Sequence, residues 1–308
     1  MAAPEPLDTL AGIVGELQAP DADAAAAVAA LPAARDDVLG RLGELAQWLA
    51  GVQGHCPPRN LDRARCVTFT GVAGAPGRID LAGVGHRAVA VLRTPAEPID
   101  GQLTSQDVQR AVALGVAAAD EEIDSGADLL IVAVPDAASE SPAMVIVSVL
   151  TNTEPVKVLT RGARAATPDT WMAQAEVVRD TRRRAFDHRA DPDALLAAAS
   201  GLPLAAAAGF VLRAAARRTG VVLDGLAATA AALVAYETAP HAVRWWLAAD
   251  HAPGPAHELA LTKLGLPAVL DLGLARADGS AGALTVALLR AAVQLLAATP
   301  ESAPDPLL

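Results

Sequence analysis

The chain has 308 residues, 53% hydrophobic but only 3% aromatic, with a formal net charge of −11 and a pI near 4.9. This length and apolar content suffice for a large buried core in one or two domains, filled mainly by Ala, Leu and Val. The acidic balance argues against a broad nucleic-acid surface or an anionic-membrane surface, so an anionic ligand must be met by local groups.

Residues 1–36 are rich in Ala, Asp and Pro, and the apolar positions Leu7, Leu10, Ile13, Val14 and Leu17 predict a first helix, with a second from Asp21 to Leu31. From Leu39 to Gln53, residues Leu39, Leu42, Leu45, Trp48 and Leu49 share one helical face, which would favour a dimer if exposed and a monomer core if buried. Gly54 and Pro57-Pro58 end that helix, and Arg65 to Thr70 reads as the first strand. Residues 71–103 are the least regular part. Their G-V-A-G-A-P-G run at 71–77 lacks the G-x-G-x-x-G spacing and is interrupted by Pro76, so it reads as a connecting loop. A nucleotide-dependent oxidoreductase would rest on that run alone.

Thr104 with Asp107 forms a variant capping box, opening a helix that runs to Asp124 and closes at Gly126. Asp128 to Val134 reads as a buried strand and 135–144 as a polar loop, while Met144 to Leu150 fits either a strand or a buried helix. Thr170 to Ala185 is helical and carries Arg179 with Arg182-Arg183-Arg184, a solvated face or an anion site. Helices follow at Asp193 to Ala199 and Leu204 to Arg217. After Tyr236 come a strand at Val243 to Ala249, a helix from Pro255 to Leu264, an apolar stretch at Ala268 to Leu272 and a closing helix from Ser280 to Ala298. This alternation predicts an α/β fold with a Rossmann-like, largely parallel sheet and helices on both faces.

The stretch from Thr219 to Ala239 organises the chain. Val221-Val222-Leu223 is a short strand ending in Asp224-Gly225, and an alanine-rich helix follows at once. Two readings fit: a ligand-facing strand end, where Gly225 lets the backbone approach an anion at a helix N-terminus, or an ordinary turn capped by Asp224. Cys56 and Cys66 and the six histidines show no metal-ligand spacing, so neither a metal nor a cofactor is expected. The opening M-A-A-P-E-P-L-D has no basic-then-apolar pattern and no unbroken apolar run approaches a membrane span, which gives a cytoplasmic expectation.

Three stretches carry a family resemblance: L-G-R-L-G-E-L-A-Q-W-L-A-G-V-Q-G at 39–54, V-V-L-D-G-L-A-A-T-A-A-A-L at 221–233 and L-D-L-G-L-A-R-A-D-G-S-A-G-A-L at 270–284. Together they resemble the nicotinate-nucleotide:dimethylbenzimidazole phosphoribosyltransferases, which make the nucleotide loop of cobalamin. The resemblance covers most of 37–71, 97–134 and 187–298. It implies an α/β domain at 65–279, a smaller helical part from 1–64 and 280–308, and a homodimer. It also implies two small-molecule ligands, nicotinate mononucleotide and a benzimidazole-type base, with phosphoribose transferred to the base under inversion. That chemistry needs a carboxylate to take the azole proton, a phosphate cradle and a dry slot for the flat base.

Several positions depart from the family pattern. The family's G-E-G-T-G-A, whose Glu is the base, falls on Ala277, Asp278, Gly279, Ser280, Ala281 and Gly282. Asp278 keeps the charge but draws it back by roughly an ångström, which costs about a hundredfold in rate if nothing else moves. Equally, Asp278 reads as a residue capping the final helix. The G-R-G-T-G phosphate motif is reduced to Thr160-Arg161-Gly162-Ala163-Arg164, and the G-E-M-G-I-G-N-T-T turn to P-D-A-A-S-E-S-P-A. In S-A-E-P-G-H only Pro255 and His257 remain, D-H-G is absent after Gly71, and the base-binding wall between 72 and 97 is shortened. One reading is an active transferase with Asp278 as base, Asp224, Gly225, Gly279 and Ser280 shaping the substrate site, and Arg161, Gly162 and Arg164 meeting the phosphate. The other is a catalytically weak or silent paralogue that binds a ligand or a partner.

Overall fold

Six strands, all parallel, form one sheet in the computed structural model, which describes residues 9–34, 39–71, 83–92, 103–135, 137–160 and 167–298. They are β1 (Ala64–Thr70), β2 (Gly85–Ala90), β3 (Leu129–Ala133), β4 (Val221–Asp224), β5 (Trp246–Asp250) and β6 (Ala268–Leu270). Across the sheet they lie in the order β2-β1-β3-β4-β5-β6. The order reverses between β1 and β3, and open α/β sheets bind ligands beyond the carboxyl ends of the strands near such a reversal.

The described α-helices are α1 (Leu10–Ile13), α2 (Ala22–Ala29), α3 (Arg41–Gln53), α4 (Ser105–Asp124), α5 (Glu140–Leu150), α6 (Pro155–Val158), α7 (Pro168–Ala185), α8 (Pro192–Ala199), α9 (Leu202–Ala216), α10 (Gly225–Thr238), α11 (Pro255–Leu264) and α12 (Ser280–Ala298). Side chains alternate across a strand, so β3 sends Leu130 and Val132 to one face and Leu129 and Ile131 to the other. The first face packs under α4, α9 and α10, and the second under α3 and α12, with α2 against α3. Because both faces are covered, β3 is apolar along its whole length.

Helix α4 and helix α9 approach closely through two glycines. A methyl on Gly115 would lie 1.8 Å from the Ala206 carbonyl oxygen, and one on Gly209 would lie 2.5 Å from that of Val112. The capping box at Thr104 is present: its Oγ1 accepts from the Asp107 amide, and Asp107 accepts from the Thr104 amide. The predicted bounds of α12 match those observed. Leu45 and Leu49 of α3 are buried within the chain, which removes that face as an exposed dimer surface. By length and composition α12 is apolar enough to cross a membrane, although Arg290 breaks its apolar run, and Val286, Leu289, Ala292 and Leu296 face the core.

Four further expectations need correction. Strand β2 falls inside the stretch read as irregular: it is an edge strand with half-exposed side chains, so no apolar alternation marks it. Met144 to Leu150 is helix, and α5 begins at Glu140, inside the expected loop. Pro142 sits in the first turn, where its missing amide costs nothing. The segment before β5 is a 3-10 helix from Pro240 to Trp245, so the strand starts at Trp246 rather than Val243. The first helix is a single turn, α1, continued by a 3-10 turn over Val14–Glu16. Of the glycine run at 71–77, residues 72–77 lie outside the described residues.

Candidate active site

Three aspartates gather beyond the carboxyl ends of β4, β5 and β6. Asp224 ends β4 and is 3% exposed. It holds the N-cap position of α10 but makes no side-chain cap bond there. Its Oδ2 instead accepts the Gly282 amide at 3.0 Å, in the first turn of α12. Gly225 follows with φ +82°, and a methyl on it would meet the Ala277 Cβ at 2.5 Å. The space beside Gly225 is thus filled by the chain's own Ala277. Ala277 itself takes φ +46°, a left-handed conformation that costs a side-chain-bearing residue about 1 kcal/mol or more.

Asp278 follows in the same turn, with a side chain 14% exposed. Its Oδ1 accepts the Ser280 amide at 3.1 Å and the Ser280 hydroxyl at 2.5 Å, and its Oδ2 accepts Arg276 Nε at 2.6 Å. Gly279 carries φ +95° and allows the sharp entry into α12. The geometry therefore contains the capping arrangement for Asp278 and leaves its carboxylate partly exposed.

Asp250, at the end of β5, is 2% exposed and grips the segment after β6 with both oxygens: Oδ1 accepts the Leu272 amide and Oδ2 the Leu274 amide, each at 2.6 Å. A second link joins the loops after β4 and β5. The Ala252 amide donates to His257 Nδ1 at 3.0 Å, which leaves the ring proton on Nε2, 3.0 Å from Thr229 Oγ1. Thr229 in turn donates to the Gly225 carbonyl at 2.9 Å. Every donor in this buried relay has one acceptor, so the relay has a single direction.

The electrostatics follow from burial. Removal from water pushes Asp224 up to about 6, reinforced by the charges of Asp278 and Asp250 and opposed by the amides of Gly282 and Ala281. Burial also raises Asp278, but the bonds from Ser280 and Arg276 outweigh it and hold the carboxyl below its ordinary value. Burial, with the nearby charge of His251, lowers His257 to about 4, so it stays neutral at physiological pH. Burial and then the charges of Asp224 and Asp278 drive the Cys66 thiol far up, making it an inert core group, whereas Cys56 is only half-buried. His86 on β2 is lowered by burial and Arg65 and raised by Asp278, while its Nε2 lies 3.2 Å from Thr68 Oγ1.

The structure brings together Asp224, Gly225, Asp278, Gly279 and Ser280. Arg161, Gly162 and Arg164 lie outside the described residues, but Thr160 immediately before them abuts the loop after β5: a methyl on Gly254 would lie 2.7 Å from its Oγ1. The arginines of α7 mostly face solvent or their own helix. Arg179 pairs with Asp180, Arg184 donates to Thr181, and Arg182 lies over the Phe186 ring. Asp250 and Thr229 were not singled out in the sequence. W-L-A-A-D repeats the V-V-L-D pattern of an apolar strand closed by an aspartate, and that signal could have found Asp250. Among the described residues no group of three or more His, Cys, Asp or Glu side chains could hold a metal ion.

A phosphoribosyltransferase family model matches residues 89–303. The nicotinate-nucleotide–dimethylbenzimidazole phosphoribosyltransferase of Mycobacterium avium (strain 104) is 39% identical, over 90% of this chain and 93% of its own length. This chain belongs to that family. The phosphoribosyltransferase of Mycobacterium marinum is 38% identical over 91% of each chain. The crystal structure of CobT from Thermus thermophilus superposes with a TM-score of 0.75 at 25% identity, covering 92% of this chain and 96% of that one. Ala277 takes its left-handed φ at the position of the first glycine of the motif G-E-G-T-G-A, and glycine adopts that φ without strain.

Proposed function

We propose that the chain transfers phosphoribose from nicotinate mononucleotide to a benzimidazole-type base in cobalamin nucleotide-loop assembly. The observation that carries this reading is near full-length similarity to the Mycobacterium avium enzyme, together with a charged carboxylate, Asp278, on the turn after β6. An azole nitrogen attacks the anomeric carbon of nicotinate mononucleotide as the bond from that carbon to the nicotinate nitrogen breaks, and the nicotinate leaves with the electron pair. The proton on the other azole nitrogen passes to Asp278. A carboxylate beside the reacting carbon also stabilises the positive charge that develops there.

Asp224 and Gly225 shape the ribose end by fixing the Asp278 turn, and Gly279 and Ser280 set its carboxylate. Arg161, Gly162 and Arg164 meet the phosphate, a role supported by the place of Thr160 beside Gly254. We further infer a cytoplasmic homodimer, which light scattering on a size-exclusion column checks at twice the 31.2 kDa chain mass. The competing reading, a catalytically weak or silent paralogue, is favoured by one observation: both Asp278 oxygens are already engaged within their own turn.

Purified protein incubated with nicotinate mononucleotide and dimethylbenzimidazole should yield ribazole phosphate by mass spectrometry. Asp278→Ala should lower the rate by about a hundredfold or more, and Asp278→Glu should raise it above that of the native chain. Folded protein that gives no product at high concentration would overturn the transferase reading in favour of the silent one.

A further inference from the structure

The stretch from Leu272 to Gly282 carries Asp278, and of the apolar side chains in its first part only Leu274 packs against the core, itself partly buried. Leu272 is 59% exposed, and Ala275 and Arg276 are exposed as well. Two buried carboxylates hold it instead. At its start Asp250 takes the Leu272 and Leu274 amides with one oxygen each, and at its end Asp224 takes the Gly282 amide. Amide bonds to a charged oxygen in a dry site are among the strongest a protein makes, and their direction is fixed. Both aspartates close adjacent strands of the sheet, so each is anchored on a rigid element.

We propose that Asp250, acting with Asp224, is a positioning residue for Asp278: the two carboxylates pin the ends of the 272–282 stretch and so set where the Asp278 carboxylate stands. This rests on the transferase reading for its kinetic consequence and on the hydrogen-bond geometry for the rest. Asp250 does not face the reacting atoms. It acts through the loop, and a displacement of about 1 Å at a reacting group costs on the order of a hundredfold.

Asp250→Asn keeps one acceptor and turns a donor toward the second amide, which frees one end of the pinned stretch. The expected kinetic result is a kcat lowered about ten- to a hundredfold with KM for nicotinate mononucleotide changed less than threefold. A purely structural role would instead lower the melting temperature and move both constants together, which would overturn the proposal, as would an unchanged kcat. Two readouts need no activity. In the native chain, amide exchange followed by NMR should be at least about tenfold slower at Leu272 and Leu274 than at Gly273 and Ala275; equal, fast exchange across the four overturns the pinning even if Asp250→Asn fails to fold. In Asp250→Asn, carbon NMR should show the Asp278 carboxyl titrating at a higher pH as its bonds from Ser280 and Arg276 loosen. Loss of the Asp250 charge acts in the other direction, so a rise reports movement, and an unmoved or lowered titration overturns the positioning role. A native chain that makes no product but keeps these two signatures would overturn the transferase reading alone.

Discussion

At the scale of single residues, the start of α10 and the turn before α12 set two left-handed positions against each other. Gly225→Ala should cost about 3 kcal/mol, combining the penalty of φ +82° with the 2.5 Å collision against the Ala277 methyl. Ala277→Gly alone should be nearly neutral, because relief of its φ +46° is offset by the added freedom of the unfolded chain. The double variant should recover about 1 kcal/mol of the loss, which a double-mutant cycle in denaturant measures. Asp224 gives a pH prediction. Its pKa is raised from 3.8 to about 6 on folding, so its contribution to stability is fully present below pH 3.8 and is lost as pH rises through 6. That loss amounts to about 3 kcal/mol. Asp224→Asn can still accept the Gly282 amide, so it should gain on the native chain by up to that amount between pH 4.5 and 7.5 in urea melts. The sequence made Asp224 and Asp278 visible as carboxylates at strand and helix ends. It could not show that Asp224 turns inward to Gly282, because an inward and an outward aspartate at a strand end are written identically.

At the scale of elements, local chemistry decided what could be read. The Thr104 capping box and the long run of α12 each carry their own start signal, so both appeared at the right positions. Strand β2 carries none: G-H-R-A-V-A has one partner strand and no buried face of its own, so only pairing with β1 makes it a strand. Pro142 suggested a loop, although a helix tolerates proline in its first turn, and the all-round burial of Met144 to Val149 removed the periodicity that would have marked α5. Among the described glycines, those where α4 meets α9 leave no room for added volume. Gly115→Ala would drive a methyl to 1.8 Å from the Ala206 carbonyl oxygen, and Gly209→Ala would press on Val112 at 2.5 Å. Both variants should unfold at lower denaturant, Gly115→Ala by about 3 kcal/mol and Gly209→Ala by less, since its methyl meets the opposing carbonyl at a longer distance.

At the scale of the whole molecule, the alternation of apolar strands and helices was enough to give the parallel sheet, because strands buried on both faces must be apolar throughout. The pairing of α3 with α12 on one face was not written locally. It depends on α3 meeting α12 over more than two hundred residues of chain, with Arg290 Nε donating to the Leu61 carbonyl at 2.7 Å and Arg41 reaching the Ala268 carbonyl at the same distance. This closure has a consequence for how the protein is made. As the chain leaves the ribosome, α3 and the strands it will cover emerge before α12, the helix that roofs them from the same side. Until Ala298 is free, Ile131, Val222 and Ala249 lack the cover that Ala281, Val286 and Leu289 provide. A chain stopped before Ser280 should therefore be recovered in the insoluble fraction, while the full chain stays in solution. Folding of this sheet therefore waits on α12, and a nascent chain that stops short of Ser280 is a client for chaperones rather than a nearly finished domain.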